Sequence, residues 1–226
     1  MALIDYASAD GDAYHRERHS EFLDNPTLTK AWAEFIHRVY FPKLPAGATL
    51  LEVGAGLGTN LLSVKAVADV YAVEPSPAAR AECAKHGLRA FAKLTDLPVA
   101  LRFDVILIRH VLEHVPDPRA MLLEVQPLLK PNGELILALP SEPPFAAPDP
   151  KDIDHHLYSW NRQTIANLLT DCGYTVVEAR LNWRNGRRLF LPLYRMFGIG
   201  AYAFALRTLG WLRRYCEIVV VAKINA

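Results

Sequence analysis

Apolar and polar positions follow one another along this chain in blocks, and each block predicts an element. Leu28, Trp32, Phe35, Ile36 and Val39 recur at helical spacing between Asn25-Pro26 and Pro42, which predicts an amphipathic helix over 27–40. A short apolar run predicts a strand over 49–53, then a helix over 59–66 and a second strand over 69–74 that Pro75 stops. Ser76 as N-cap, Pro77 at the first helical position and Gly87 past the end bracket a helix over 77–86, and a short strand over 89–92 follows. Phe103-Asp104-Val105-Ile106-Leu107-Ile108, apolar between flanking charges, has the pattern of a strand covered on both faces in a parallel sheet. Lys130-Pro131-Asn132-Gly133 has the turn chemistry to lead into another strand at Leu135-Ile136-Leu137. Ser159 is the expected cap of a helix over 161–171 that Gly173 ends, with strands over 175–180 and 216–223 beyond it. Strands and helices in alternation predict an α/β domain.

Three stretches stand outside this alternation. Residues 1 to about 20 are polar, with Tyr14, His15, Arg16, Arg18 and His19 close together, and read as either a solvated arm or a leading helix. Residues 140–158 form a proline-rich loop too long for a simple connector, and such loops usually cover a functional site or are disordered. From Ala179 to Cys216 there is no acid, while Arg180, Arg184, Arg187, Arg188, Arg195, Arg207, Arg213 and Arg214 are basic and the interior is strongly apolar. Pro192, Arg195, Gly198, Gly200 and Arg207 interrupt that interior, so a membrane-crossing helix is disfavoured. The segment reads as a helical cap roofing a greasy pocket or as a basic amphipathic element on an anionic membrane, the cap being preferred.

Composition narrows the picture. A chain of 226 residues suits one domain with additions. The expected division is an N-terminal helical lid (1–45), a core (46–180), a helical cap (181–215) and a final strand (216–226). A formal net charge of +1 and the lack of a motif pairing basic with aromatic residues speak against a nucleic-acid partner. Cys83, Cys172 and Cys216 lack metal-ligand spacing, so neither a disulfide framework nor a zinc site is expected, and a reducing, cytoplasmic compartment fits. Asp5 and Asp10 within the first ten residues argue against an ordinary signal peptide.

The candidate chemistry begins at Leu50-Leu51-Glu52-Val53-Gly54-Ala55-Gly56-Leu57-Gly58-Thr59-Asn60, a buried strand opening into glycines at alternate positions. Bare backbone at a strand's carboxyl end lets a nucleotide lie against it. A dinucleotide fingerprint would place its third glycine one position later, where Thr59 stands. Glu52 would repel a pyrophosphate yet could bond an ammonium-bearing ligand close to a sulfonium cation, which is S-adenosylmethionine. Glu74 follows Gly54 by twenty residues, the interval at which an acid reaches ribose hydroxyls.

E-x-G-x-G-x-G with Glu74 resembles motifs I and II of the class I S-adenosylmethionine-dependent methyltransferases. Phe103-Asp104-Val105-Ile106, then Leu112-Glu113-His114-Val115-Pro116-Asp117-Pro118 and Leu129-Lys130-Pro131-Asn132-Gly133, are similar to strands 4 and 5 of the ubiquinone-type and related small-molecule members. The resemblance covers about Leu50 to Tyr174 and the final strand. It implies a Rossmann-like three-layer sandwich with a seven-stranded sheet in the order 3-2-1-4-5-7-6, strand 7 antiparallel and a helical insertion between strands 6 and 7. It also implies that Glu52, Gly54, Ala55, Gly56, Gly58, Asn60, Glu74 and Pro75 bind the cofactor, Glu74 at its ribose. Asp96 with Leu97 would read the adenine, and Arg109 and Arg16, or Arg18, would complete the cofactor site from strand 4 and a leading helix folded over it.

Methyl transfer to a protonated nucleophile needs a general base, and His110, just past strand 4, is the first candidate, with His155 on the loop the second. His114, His156 and Tyr158 are expected at the acceptor. His110-Val111-Leu112-Glu113-His114 also fits the inverted zinc-protease pattern H-x-x-E-H, but Pro116 and Pro118 deny it the long helix that chemistry needs, so no metal is expected. The expected partner is a small acceptor, apolar if the cap roofs it, with peripheral membrane contact through 184–214 and the oligomeric state left open. A nicotinamide-dependent oxidoreductase and a non-catalytic, cofactor-binding partner protein are the competing readings.

Overall fold

Along β1 (Thr49–Val53) and β4 (Phe103–Arg109) the apolar side chains alternate between two faces, so a core forms on either side of one sheet. The computed structural model describes residues 5–142 and 152–225. With β2 (Asp69–Val73), β3 (Arg89–Phe91), β5 (Leu129–Pro140), β6 (Tyr174–Trp183) and β7 (Cys216–Ile224), the sheet has the order β3-β2-β1-β4-β5-β7-β6. β7 runs antiparallel to both neighbours, as the family resemblance implies. β7 is inserted between β5 and β6, so the order 3-2-1-4-5-6 is interrupted by one antiparallel strand, which the doubly wound dinucleotide-binding sheet lacks.

Leu28, Trp32, Phe35, Ile36 and Val39 bring α2 (Pro26–Tyr40) onto one face of the sheet, beside α3 (Pro77–Lys85) and α6 (Leu191–Leu212). Each such burial contributes roughly 1.5–3 kcal/mol. That contact holds α2 in place, because isolated helices of its length are marginal in water. The other face is covered by α4 (Pro118–Val125) and α5 (Arg162–Asp171) through Leu122, Val125, Ile165 and Leu169.

Some expectations change in detail, and one open alternative is resolved. Residues 59–66 form only a 3-10 turn at Thr59–Leu61 followed by further turns. Asn60 is drawn onto Glu52 (Nδ2 to Oε1, 2.6 Å) and Ser63 donates to the Ala33 carbonyl, while Val64 bonds back three residues to Leu61, so no regular helix develops. α5 is capped by Asn161 rather than Ser159: Asn161 Oδ1 accepts from the backbone of Gln163 and Thr164, and Thr164 returns the bond. β6 continues to Trp183, so the insertion starts beyond 181. The leading stretch is a helix, α1 (Ala9–Leu23), and not a solvated arm. Of the proline-rich loop, residues 143–151 lie outside the described residues.

Candidate active site

Val53 pairs with Val73 on one side and Ile108 on the other, so β1, β2 and β4 end at one level and their carboxyl ends form a ledge. The chain leaves β1 through Gly54 and Gly58 at φ 72° and 74°, left-handed values that favour glycine. Space adds to this at Gly54, where a Cβ would lie 2.3 Å from Val111 Cγ2. Beneath the turn, Glu52 is fully buried; Asn60 donates to its Oε1, and Oε2 has no partner among the described residues. Burial pushes the Glu52 carboxyl up to about 8, against the opposing pull of the Asn60 bond and the Arg109 charge.

Glu74 is committed to the turn itself: its two oxygens accept from the backbone of Gly56 (2.7 Å) and Ser76 (2.9 Å), and His15 Nε2 lies 3.3 Å away. His15, not Arg16, is the α1 residue over the glycines; Arg16 is exposed, and Arg18 pairs with Asp154. Asp12 ties α1 down by accepting from Ser76 Oγ and the Ala78 backbone. Ala55 is buried in the turn, while the Pro75 carbonyl accepts from Arg80. Asp96 is exposed and caps its own 3-10 turn through the Lys93 backbone, beside a buried Leu97.

A second cluster gathers at the end of β4. His110 stands at φ 52°, a left-handed conformation that costs a non-glycine residue about 1–3 kcal/mol and gathers at functional sites. Its Nδ1 lies 3.3 Å from Glu113 Oε1 and its Nε2 3.0 Å from Glu217 Oε2, both carboxylates being buried. Glu217 also accepts from Tyr40, from Asn182 (2.8 Å) and from Arg184 (2.9 Å), with Arg109 at 3.5 Å. Burial alone would raise the Glu217 carboxyl, but Arg184, Arg109 and His110 override it and hold the group well below the usual carboxylate range. Arg109, expected at the cofactor, is therefore a partner of Glu217 and Tyr40 and sits over the Trp32 ring, where the guanidinium groups of Arg184 and Arg187 also lie. His19 feels this field: burial first, then His15, Arg109 and Arg187, bring its imidazole down to about 3, so it is neutral at physiological pH.

His114 and His156 do come together, their rings 4.8 Å apart. Among the described residues His110 and His114 do not share a set of convergent ligand atoms. Instead Glu113, His114 and His156 bring possible ligand atoms within 4.8 Å of one another, a set able to hold a cation, although His114 Nδ1 is already 3.1 Å from the Tyr6 hydroxyl and His156 pairs with Glu142. Tyr158 spends its hydroxyl on the Pro116 carbonyl. His155, at φ 47°, bonds through its backbone to Asp152 and makes no described contact with His110. A cavity of about 510 Å³ lies between α2 and α6, its lining largely charged through Glu34, Arg38 and Arg207 with Ile199 and Ala203 beside them. Sequence reasoning missed Glu217 and the inward turn of Arg184. A signal existed for Glu217, the one acid in the apolar run of β7.

The family model described as a methyltransferase domain matches residues 20–179. A ubiquinone biosynthesis O-methyltransferase of Xanthomonas axonopodis pv. citri is 35% identical over 112 residues, 45% of this chain and 47% of that protein. The chain thus spans about half the length of the curated relatives it matches. Among solved structures, the Burkholderia thailandensis 1,6-didemethyltoxoflavin-N1-methyltransferase with bound S-adenosylhomocysteine aligns over 97% of this chain and 87% of its own (TM-score 0.61, 20% identity). The [4+2]-cyclase SpnF aligns over 86% and 80% (TM-score 0.58, 14% identity). These two likenesses concern the fold.

Proposed function

The chain belongs to the methyltransferase-domain family, and we propose that it transfers a methyl group from S-adenosylmethionine to a hydroxyl oxygen of a small acceptor beside His110. The cofactor fits the residues present. Glu52 Oε2 is a buried oxygen lacking a partner, which suits a ligand with an ammonium group, and the glycines leave the adjoining backbone bare. Glu52, Gly54 to Gly58 and Asn60 would hold it, and when bound it supplies an electrophilic methyl group whose transfer leaves a neutral thioether.

The observation that carries the reading is His110, held in a strained conformation with a buried carboxylate at each ring nitrogen. His110 would take the hydroxyl proton at Nε2 once the acceptor hydroxyl comes between that nitrogen and the Glu217 carboxylate, and Glu113 and Glu217 would then face the imidazolium formed. Arg184 Nη2, 3.2 Å from His110 Nε2, is placed to stabilise the oxyanion. A neutral amine would need neither group, which favours an oxygen nucleophile. Positioning of the acceptor offsets roughly 7–11 kcal/mol of such a barrier, and a base adds about 10²- to 10⁴-fold. The free thiols of Cys83, Cys172 and Cys216, all buried, support a reducing, cytoplasmic setting.

Transfer of labelled methyl to a panel of phenols, catechols and amines tests this. Methyl ether products are expected, and His110→Ala should lower kcat by about 10²- to 10⁴-fold with S-adenosylhomocysteine affinity unchanged. Transfer to amines alone, or a His110→Ala enzyme with the wild-type rate and pH profile, would overturn it.

A further inference from the structure

α6 carries a surface that methyl transfer does not use. Tyr202, Ala203, Leu206 and Gly210 face inward, Gly210 so closely that a Cβ would lie 2.3 Å from the Arg184 backbone nitrogen. Phe204 and Trp211, two turns apart, fall on the opposite side of the same helix and are 73% and 63% exposed. Leu189, Met196, Phe197 and Leu212 are each more than 60% exposed as well. Among the described residues seven large apolar side chains reach that exposure; six lie within 189–212, and the seventh is Val99. Exposed apolar residues scattered singly are ordinary, whereas a concentration of this kind marks a contact surface.

Charge decides which contact. Arg188, Arg195, Arg207, Arg213 and Arg214 are exposed in the same segment, and no acid occurs between Ala179 and Cys216. The acids that approach from neighbouring elements are occupied: Glu34 of α2 accepts from Tyr194, and Glu21 of α1 pairs with Arg187. Arg38 of α2 adds to the positive side of the α2–α6 groove. A second copy is a poor occupant, since a two-fold contact would set this arginine-rich face against itself. An anionic bilayer offers an apolar boundary for the aromatic and aliphatic side chains together with phosphate oxygens for the guanidinium groups. No helix among the described residues is long and apolar enough to cross a membrane, so such a contact is peripheral.

We propose that the outer face of α6 docks the protein on an anionic lipid surface, Phe204 and Trp211 entering the headgroup region while the five exposed arginines meet lipid phosphates. Arg184 and Arg187, at the start of the same segment, reach Glu217 and Trp32, so the docking face is continuous in sequence with the acceptor side of the site. Docking does not depend on the methyl-transfer reading, and S-adenosylhomocysteine binding serves as a separate control for the fold and the ledge.

The full chain would be sedimented with vesicles of phosphatidylcholine alone and of phosphatidylcholine mixed with phosphatidylglycerol, over a range of salt. Binding is expected only with the anionic lipid, at least about tenfold stronger, and falling as salt screens the arginines. Brominated lipid should quench tryptophan fluorescence, and Trp211→Phe should remove that quenching. Phe204→Ser with Trp211→Ser, and separately Arg207→Glu with Arg213→Glu and Arg214→Glu, should each weaken binding about tenfold or more, with circular dichroism and S-adenosylhomocysteine binding unchanged. Absence of binding at low ionic strength, quenching that survives Trp211→Phe, or undiminished binding by the two variants would overturn the proposal. So would a lipid-free dimer that Phe204→Ser with Trp211→Ser disrupts, or preference for polyglutamate over the vesicles.

Discussion

Glu52 is a fully buried carboxyl group with one described hydrogen bond, and burial moves its ionisation up to about 8. The sign of the consequence follows from linkage. Above about 4.5 the unfolded chain gives up this proton while the folded chain keeps it, so the Glu52 contribution to stability falls as pH rises from there to about 8. A ligand bearing an ammonium group selects the ionised form. S-adenosylhomocysteine binding should therefore tighten by about tenfold per pH unit below about 8 and release a proton at neutral pH. Calorimetry in buffers of differing ionisation heat reads that release, and Glu52→Gln should abolish it while flattening the pH dependence. Proton release retained in Glu52→Gln would assign it to another group. Glu52 was readable because its role hangs on short spacing to Gly54 and Asn60. Glu217 was not, because its partners Tyr40, Arg109, His110 and Arg184 come from three separate segments of the chain.

At the scale of elements, the glycines of α6 separate packing from propensity. Gly210 lies against the backbone of Arg184, which cannot yield as a flexible side chain would. Gly210→Ala should cost about 1–3 kcal/mol, roughly 2–12 °C in Tm. Gly200 meets nothing within 4 Å, so Gly200→Ala should leave Tm unchanged or raise it by up to about 4 °C, because alanine favours the helix. Thermal unfolding of the two variants checks both, and equal effects would refute the packing of α6 described above. The elements with caps and breakers of their own, α2, α3 and β4, were legible in the chain. The 59–66 segment was not, because Asn60 and Ser63 answer to Glu52 and Ala33, partners that a helical pattern does not register.

For the whole molecule, the ledge at the ends of β1, β2 and β4 makes one ligand class a stabiliser of the fold. S-adenosylhomocysteine at about a hundredfold its Kd should add about 2.7 kcal/mol, or roughly 5–11 °C in Tm, with no shift from NADH. The reverse pattern would return the chain to the nicotinamide reading. The same fold serves a cyclase as well as methyltransferases, so the acceptor chemistry rests on His110, Glu113, Glu217 and Arg184 rather than on architecture.

Local chemistry determined much of this protein by itself. The strand–glycine–Glu74 order, the buried run of β4, the lone net charge and the acid-free arginine segment are all properties of neighbouring residues, and alternation and spacing express them directly. Tertiary structure alone decided that α1 lies over the glycines through His15 rather than Arg16 and that Arg109 belongs to Glu217. It likewise decided that Glu113 and Glu217 flank one histidine and that α6 turns its aromatic side outward. Those outcomes depend on which distant side chains share a dry space, and there a charge is tolerable only beside its partner.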